Sequence, residues 1–334
     1  MKRFQKAMIW CLGILVGFSI LAFLGITIAH TVVFSRCDYD QYDHTRNLLY
    51  EDVAEEYPRQ EIQIQSGDNH LSGFIYGAQN DLGLIVVSPG HTDATDIKLY
   101  EILYFVDQGW RVLCYDYTGC YTSEGTSMVG YTQCVHDLDA VLNYVEHEET
   151  LSSMPLMLFG HSLGAYNSCA VLQFGHPVTA VVAASGFDTP KEQWNYSIKR
   201  FTGGLSVLLS PYTNLFIQLQ YGKEAELSAV DGINAVDIPV LVISGTVDEF
   251  YGGESPIYRK QNSITNPNCT FRLMNQEGHT GHYDYFLTDE ALQYQNEVDD
   301  PSFEGAIDKK LYREHDKEFM DSIHRFFVSA IPNR

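Results

Sequence analysis

The segment Leu156-Met157-Leu158-Phe159-Gly160-His161-Ser162-Leu163-Gly164-Ala165 joins an apolar, strand-like run, Leu156 to Phe159, to a helix-like run that begins at Ala165. Between the two lies the pentapeptide Gly160-His161-Ser162-Leu163-Gly164, and that context makes Ser162 a candidate nucleophile. A serine on a tight strand-to-helix turn is held in a strained backbone conformation, and side chains at the flanking positions would clash with the neighbouring strand and helix. Glycine at both ends relieves that clash.

Working outward, the chain alternates strand-like and helix-like segments from about Glu61 onward, as a mostly parallel central sheet flanked by helices requires. Glu61 to Gln65 and Leu71 to Tyr76 read as an opening hairpin around Gly67-Asp68-Asn69. Short apolar runs follow at Leu84 to Val87, Val112 to Tyr115, Leu156 to Phe159, Ala180 to Ala184 and Val240 to Ile243, and these read as buried strands. Ile97 to Val106, Tyr131 to Val145 and Ala165 to Phe174 carry apolar residues at three- and four-residue intervals, the spacing of crossover helices.

In open parallel sheets, chemistry gathers in loops beyond the carboxyl ends of strands. After the strand ending at Ser88 comes Pro89-Gly90-His91-Thr92, where the glycine lets the backbone approach a substrate oxygen. The amides of His91 and Leu163 are therefore candidates for an oxyanion hole. The acid candidate is Asp248, in Gly245-Thr246-Val247-Asp248, with Glu249 as its runner-up. Gly278-His279-Thr280-Gly281-His282 offers two histidines for the base; His282 is preferred, with His279 as the alternative. The spacing of histidines and cysteines shows no metal-ligand pattern, and this chemistry needs neither a metal nor an organic cofactor.

With elbow, Gly245-x-x-Asp248 and Gly-His loop in that order, the chain resembles an α/β-hydrolase over roughly residues 59 to 332. The segment Asp116-Tyr117-Thr118-Gly119-Cys120-Tyr121-Thr122-Ser123-Glu124-Gly125 resembles that family's D-x-R-G-x-G-x-S loop, with Thr118 in place of arginine and Tyr121 in place of the second glycine. Together with its N-terminal anchor, the chain is similar to membrane-anchored bacterial serine hydrolases of the esterase, lysophospholipase-like and serine aminopeptidase-like kinds. The resemblance implies a Ser-Asp-His acyl hydrolase and carries no substrate with it.

Ahead of the catalytic domain, Ala7 to Ala29 is uncharged and almost wholly apolar, long enough to cross a bilayer as a helix. Lys2, Arg3 and Lys6 precede it, which places the N-terminus in the cytoplasm and the catalytic domain outside. Secretion after cleavage near Thr27-Ile28-Ala29 is the alternative. The expected organisation is an anchor over 1–36, a linker and packing arm over 37–58, and a hydrolase domain over 59–334 with a helical cap insertion at about 187–236.

The formal net charge of -22 excludes nucleic acid as a natural partner, because its phosphates would be repelled at long range. Six cysteines lie outside the anchor, an even number that permits disulfides without fixing their pairing. The cap is rich in apolar residues, among them Trp194, Phe201, Leu205, Val207, Leu208, Leu215, Phe216 and Leu219. Helical spacing makes most of these core contacts of the cap, and the remainder would line a pocket for a lipid or lysolipid ester. A peptidase would instead use an acidic residue such as Glu192, Glu224 or Glu226 to bind a free amino group. A noncatalytic binding module on the same fold is the reading from another class.

Overall fold

The computed structural model describes residues 2–331, which divide into two compact units. The larger unit comprises Arg36–Asp188 and the chain from Ser228 onward; the smaller comprises the chain up to Ser35 and Thr189–Leu227.

In the smaller unit, helix α1 (Lys2–Val33) contains the uncharged, almost wholly apolar stretch Ala7 to Ala29 read from the sequence. In the larger unit, Arg59–Ser66 (β1) and Asn69–Tyr76 (β2) pair antiparallel, as expected for a hairpin closed by Gly67 in the left-handed region. Then come β3 (Leu84–Ser88), helix α2 (Leu99–Asp107), β4 (Arg111–Tyr115), α3 (Tyr131–His147), β5 (Leu156–His161), α4 (Leu163–Ala170) and β6 (Ala180–Ala184). The cap supplies α5 (Pro190–Thr202) and α6 (Ser206–Tyr221) to the smaller unit. The larger unit resumes with α7 (Ala229–Asn234), β7 (Val240–Gly245), β8 (Cys269–Met274), α8 (Asp289–Val298) and α9 (Lys317–Ala330).

The eight strands form one sheet in the order β1-β2-β4-β3-β5-β6-β7-β8, parallel from β4 to β8. Every residue of β3, β5, β6 and β7 is buried, because helices cover both faces and leave no side for polar alternation. On one face Ile85, Val87, Met157 and Phe159 share a core with Ile102 and Phe105 of α2 and with Met320, Ile323 and Phe327 of α9. The stripe on α9 recurs at helical spacing, and its first turn is closed by Asp316, which accepts from the amide of Phe319 at 2.6 Å.

Two expectations need correction. The cap insertion was expected to reach about residue 236, but α7 belongs to the larger unit: a Cβ on Gly232 would lie 1.9 Å from the carbonyl oxygen of Cys169, so only glycine lets this helix seat on α4. The cap side chains were also expected to face mostly inward. Trp194, Phe216 and Ile217 are buried, yet Phe201 is 83% exposed, Val207 76% and Leu219 69%. Helical periodicity identifies an apolar face without saying whether protein or another apolar medium covers it.

Candidate active site

The sheet order reverses at β3 and β5, which pair with Ser88 opposite Gly160, so the loops leaving the two strands diverge at the same edge. Ser162 stands there at φ 56°, ψ −117°, a conformation that costs a non-glycine residue about 1–3 kcal/mol and persists only when its surroundings impose it. They do so here. The Ser162 amide donates to the carbonyl of Ala184 at 2.8 Å, and its own carbonyl accepts from the amides of Ala165 and Tyr166 as α4 begins. A Cβ on Gly160 would lie 2.2 Å from the Gly164 carbonyl, and one on Gly164 would lie 2.0 Å from the Ser88 carbonyl oxygen. Both obstacles are backbone. Gly164→Ala is therefore expected to destabilise the fold by an amount at or above the top of the usual range for overpacking, about 1–3 kcal/mol, measured by thermal unfolding.

Past β7 the chain turns through Asp248, whose amide donates to Gly253 at 3.1 Å and whose Oδ1 accepts from the Phe250 amide at 2.9 Å. Asp248 is fully buried, and its Oδ2 lies 2.6 Å from Nδ1 of His282. The end of β7 packs so tightly on the histidine loop that a Cβ on Gly245 would lie 2.1 Å from the Thr280 carbonyl oxygen, and Val247 donates to that same oxygen at 2.9 Å. His282 is positioned from three further directions. Its amide donates to Glu249 Oε2 at 2.9 Å, its carbonyl accepts from His161 Nε2 at 2.9 Å, and its ring sits 4.5 Å from that of Phe250. Burial holds His161 well below its ordinary pKa, so its ring is neutral and Nε2–H is the donor. His161 precedes Ser162 directly, so this contact brings His282 to the elbow.

His279 goes elsewhere. Its Nδ1 lies 3.0 Å from the Asp284 carbonyl and its Nε2 lies 2.7 Å from Asp289 at the start of α8. Burial disfavours its cation, but the hydrogen bonds to Asp289 and to the Asp284 carbonyl outweigh that and raise its pKa above the ordinary 6.5. A folded pKa above the unfolded one stabilises the fold below about pH 6.5, and that contribution is lost as pH rises through the folded value. The stability difference between wild type and His279→Gln is accordingly expected to be largest in mild acid and to shrink on alkalinisation, read from unfolding curves across pH.

The loop carrying His91 is held from beneath. The carboxylate of Asp93 accepts from the Gly90 amide at 3.2 Å and pairs with the buried Lys98 at 2.9 Å. Burial opposes the charge on Asp93, but Lys98 outweighs it and keeps the carboxyl below its ordinary range. Tyr117 donates to the Pro89 carbonyl at 2.6 Å, and the Tyr121 hydroxyl donates to the carbonyl of Thr92, itself at φ 63°. Sequence reasoning missed this support, whose two tyrosine contacts join residues 28 and 29 positions apart. In the loop after β4, Asp116 accepts from Thr95 and Thr122, and Thr118 binds Asp137 through both its amide and its hydroxyl. Thr118, which stands where the resembled loop carries arginine, makes an inward contact. Among the described residues no group of three or more histidines, cysteines or carboxylates is placed to hold a metal ion.

Residues 79–231 match the sequence model of the family described as serine aminopeptidase, S33. The uncharacterized protein YfhR of Escherichia coli O157:H7 is 25% identical over 174 residues, and the chain spans about half the length of that curated relative (54%), using 51% of its own. Among solved structures, the Pyrococcus furiosus esterase Pf2001 superposes with a TM-score of 0.59 at 15% identity, covering 89% of this chain and 97% of that one. An α/β-hydrolase from Vibrio vulnificus gives 0.59 at 15% identity, covering 77% and 87%, and an acylaminoacyl peptidase from Pyrococcus horikoshii gives 0.50 at 14%, covering 68% and 37%.

Proposed function

From the premise that this chain is an α/β-hydrolase, we propose that it is a serine hydrolase cleaving carboxylic esters through an acyl-enzyme, held at a membrane by α1. The observation that carries this reading is the buried Asp248–His282 pair at 2.6 Å, set beside an elbow that keeps Ser162 at positive φ. A buried carboxylate accepting Nδ1–H leaves Nε2 of His282 as the acceptor site of the imidazole. His282 then takes the proton of Ser162 as its oxygen attacks the ester carbonyl, and Asp248 stabilises the imidazolium that forms. The proton passes to the leaving alkoxide, and a water activated by His282 releases the acid. The amides of His91 and Leu163 receive the oxyanion in both steps; one such donor lowers the barrier by about 2.7–4 kcal/mol.

The anchor reading rests on a helix over Arg3–Val33 with mean hydropathy 2.5, whose apolar 18-residue stretch is only 6% buried against protein. Basic residues at its start orient it with the N-terminus in the cytoplasm and the catalytic unit outside. An enzyme so placed meets acyl esters and lysolipids of the bilayer. The peptidase alternative has the family match in its favour. Of its three acidic candidates, Glu226 is already engaged by Lys191 at 2.5 Å.

The test is kcat/KM for p-nitrophenyl esters of short and long acyl chains beside aminoacyl p-nitroanilides, for wild type and Ser162→Ala. Turnover of the esters that vanishes in the variant supports the proposal. Preference for the anilides transfers the site to the peptidase reading, and no turnover of either by folded protein favours a binding module.

A further inference from the structure

Resting on the anchor reading, we propose that the cap hairpin α5–α6 lies inside the leaflet on the catalytic side of the membrane, with lipid acyl chains as the partner that covers its apolar face. Ser19 of α1 bonds Tyr212 of α6 at 2.8 Å, Phe23 meets Phe216 edge to face at 5.7 Å, and His30 bonds Tyr221 at 2.7 Å. Ser19 stands fourteen residues before Val33, about 21 Å along the helix axis at 1.5 Å per residue, against a hydrocarbon core of about 30 Å. If α1 spans the bilayer, whatever packs on Ser19 shares its depth.

The surface of the hairpin suits that depth. Phe201, Val207, Leu208, Leu215 and Leu219 are all more than half exposed to solvent, and they lie beside an anchor that is itself uncovered. Hydrocarbon cannot satisfy polar groups, and the hairpin satisfies many of its own. Asn195 donates to Asn214 at 2.8 Å and accepts from Ser210 at 3.0 Å, while Thr202, Ser206 and Thr213 return their hydroxyls to preceding carbonyls. The exposed cations Lys199 and Arg200 follow Ile198, which lines a groove with Gly25, Ile26 and Ala29 of α1. Those residues are four to eight positions below Val33, about 6–12 Å, from which long cationic stems reach the phosphate layer. Two grooves run between α1 and the hairpin, one of about 510 Å³ lined by Phe23, Leu24 and Leu215, the other of about 330 Å³ lined by Ile26, Phe201 and Leu209. Both are almost wholly apolar and fit an acyl chain better than water.

Tryptophan quenching separates the two layers of the claim. Trp10 on α1 is 74% exposed and reports the anchor, whereas Trp110 and Trp194 are buried. The full chain is reconstituted in phosphatidylcholine vesicles with brominated acyl chains, and Val207→Trp is introduced in a Trp10→Phe background, with Leu219→Trp as the second site should the first fail to fold. The expected result is at least a twofold loss of the added emission on bromination, matching that of Trp10. Quenching of Trp10 with the added residues quenched only by aqueous acrylamide overturns the hairpin proposal and leaves the anchor. No quenching of Trp10 removes both, and leaves the hydrolase chemistry untouched.

In the larger unit, a separate contact carries a second inference: the geometry assigns Cys37 and Cys120 to one disulfide in an oxidising compartment. They are partners in a parallel β-bridge, with the Cys37 amide donating to Gly119 at 3.1 Å and its carbonyl accepting from Tyr121 at 2.7 Å. Adjacent strands lie about 4.7–4.9 Å apart, inside the 4.4–6.8 Å that a disulfide spans between Cα atoms. Cys37 is the more accessible of the pair, half-buried where Cys120 is buried. Its thiolate attacks a small-molecule disulfide and expels one thiolate; Cys120 then attacks the mixed disulfide at Cys37 and expels the second, so that two thiols of the oxidant balance the two lost here. The bond would fix the chain just past the anchor to the loop whose Tyr121 holds Thr92, where Arg36 already bonds the carbonyls of Ser123 and Gly125.

The full chain is treated with oxidised glutathione, denatured, alkylated and peptide-mapped. The expected product is a cross-linked peptide joining Cys37 to Cys120 and two fewer alkylated cysteines, both effects absent in Cys37→Ser. Alkylation of all seven, or a lasting glutathione adduct on Cys37 with Cys120 still alkylated, overturns the assignment.

Discussion

Replacing His282 with glutamine is expected to lower kcat/KM for an acyl ester by about 10⁴-fold, while His279→Gln stays within about tenfold of wild type. Glutamine occupies the space of the imidazole and keeps a polar tip, but it cannot shuttle a proton. Only His282 has its Nδ1 on a buried carboxylate and its backbone against the residue beside Ser162. His279 is spent on Asp289, a surface carboxylate at the start of α8, so its loss appears in stability and its pH dependence. An inactive His279→Gln beside an active His282→Gln would exchange the two roles.

Asp248→Asn is expected to cost about 10⁴-fold in kcat with little change in stability. The asparagine oxygen can still accept from the Phe250 amide, which preserves the turn. Its amide group, however, donates toward Nδ1 of His282, forces the proton onto Nε2 and removes the acceptor that Ser162 needs. Glu249→Gln provides the contrast. Glu249 accepts from the backbone amide of His282, and a glutamine oxygen serves that amide nearly as well, so the expected loss is under about tenfold. Steady-state kinetics on the same ester, with thermal unfolding as the check on folding, compares the two.

The elbow was legible because its signal is local: two glycines demanded by backbone collisions, between an apolar run and a helical one. The strands of the parallel sheet were legible for a similar reason, since burial on both faces makes each a short continuous apolar run. The choice between His279 and His282 was not decided by spacing. What separates them is the packing of Gly245 against the histidine loop, a contact between residues 35 and 36 positions apart that composition cannot show. The support under the His91 loop is likewise nonlocal, joining Tyr117 to Pro89 and Tyr121 to Thr92. The Lys98–Glu101 pair, three residues apart on one helical turn, was the available hint of a buried charge cluster there. The cap was misjudged in a different way. Its apolar periodicity was real, but reading it as core assumed water on the other side, and six of its large apolar residues from Phe201 to Leu219 face outward.

The most direct test of the central claim is reaction of the purified full chain with a fluorophosphonate, followed by peptide mapping of the adduct. A serine activated by the Asp248–His282 pair is predicted to carry the label at Ser162, with labelling abolished in Ser162→Ala and strongly slowed in His282→Gln. Equal labelling of folded Ser162→Ala, or none of folded wild type, would contradict the account.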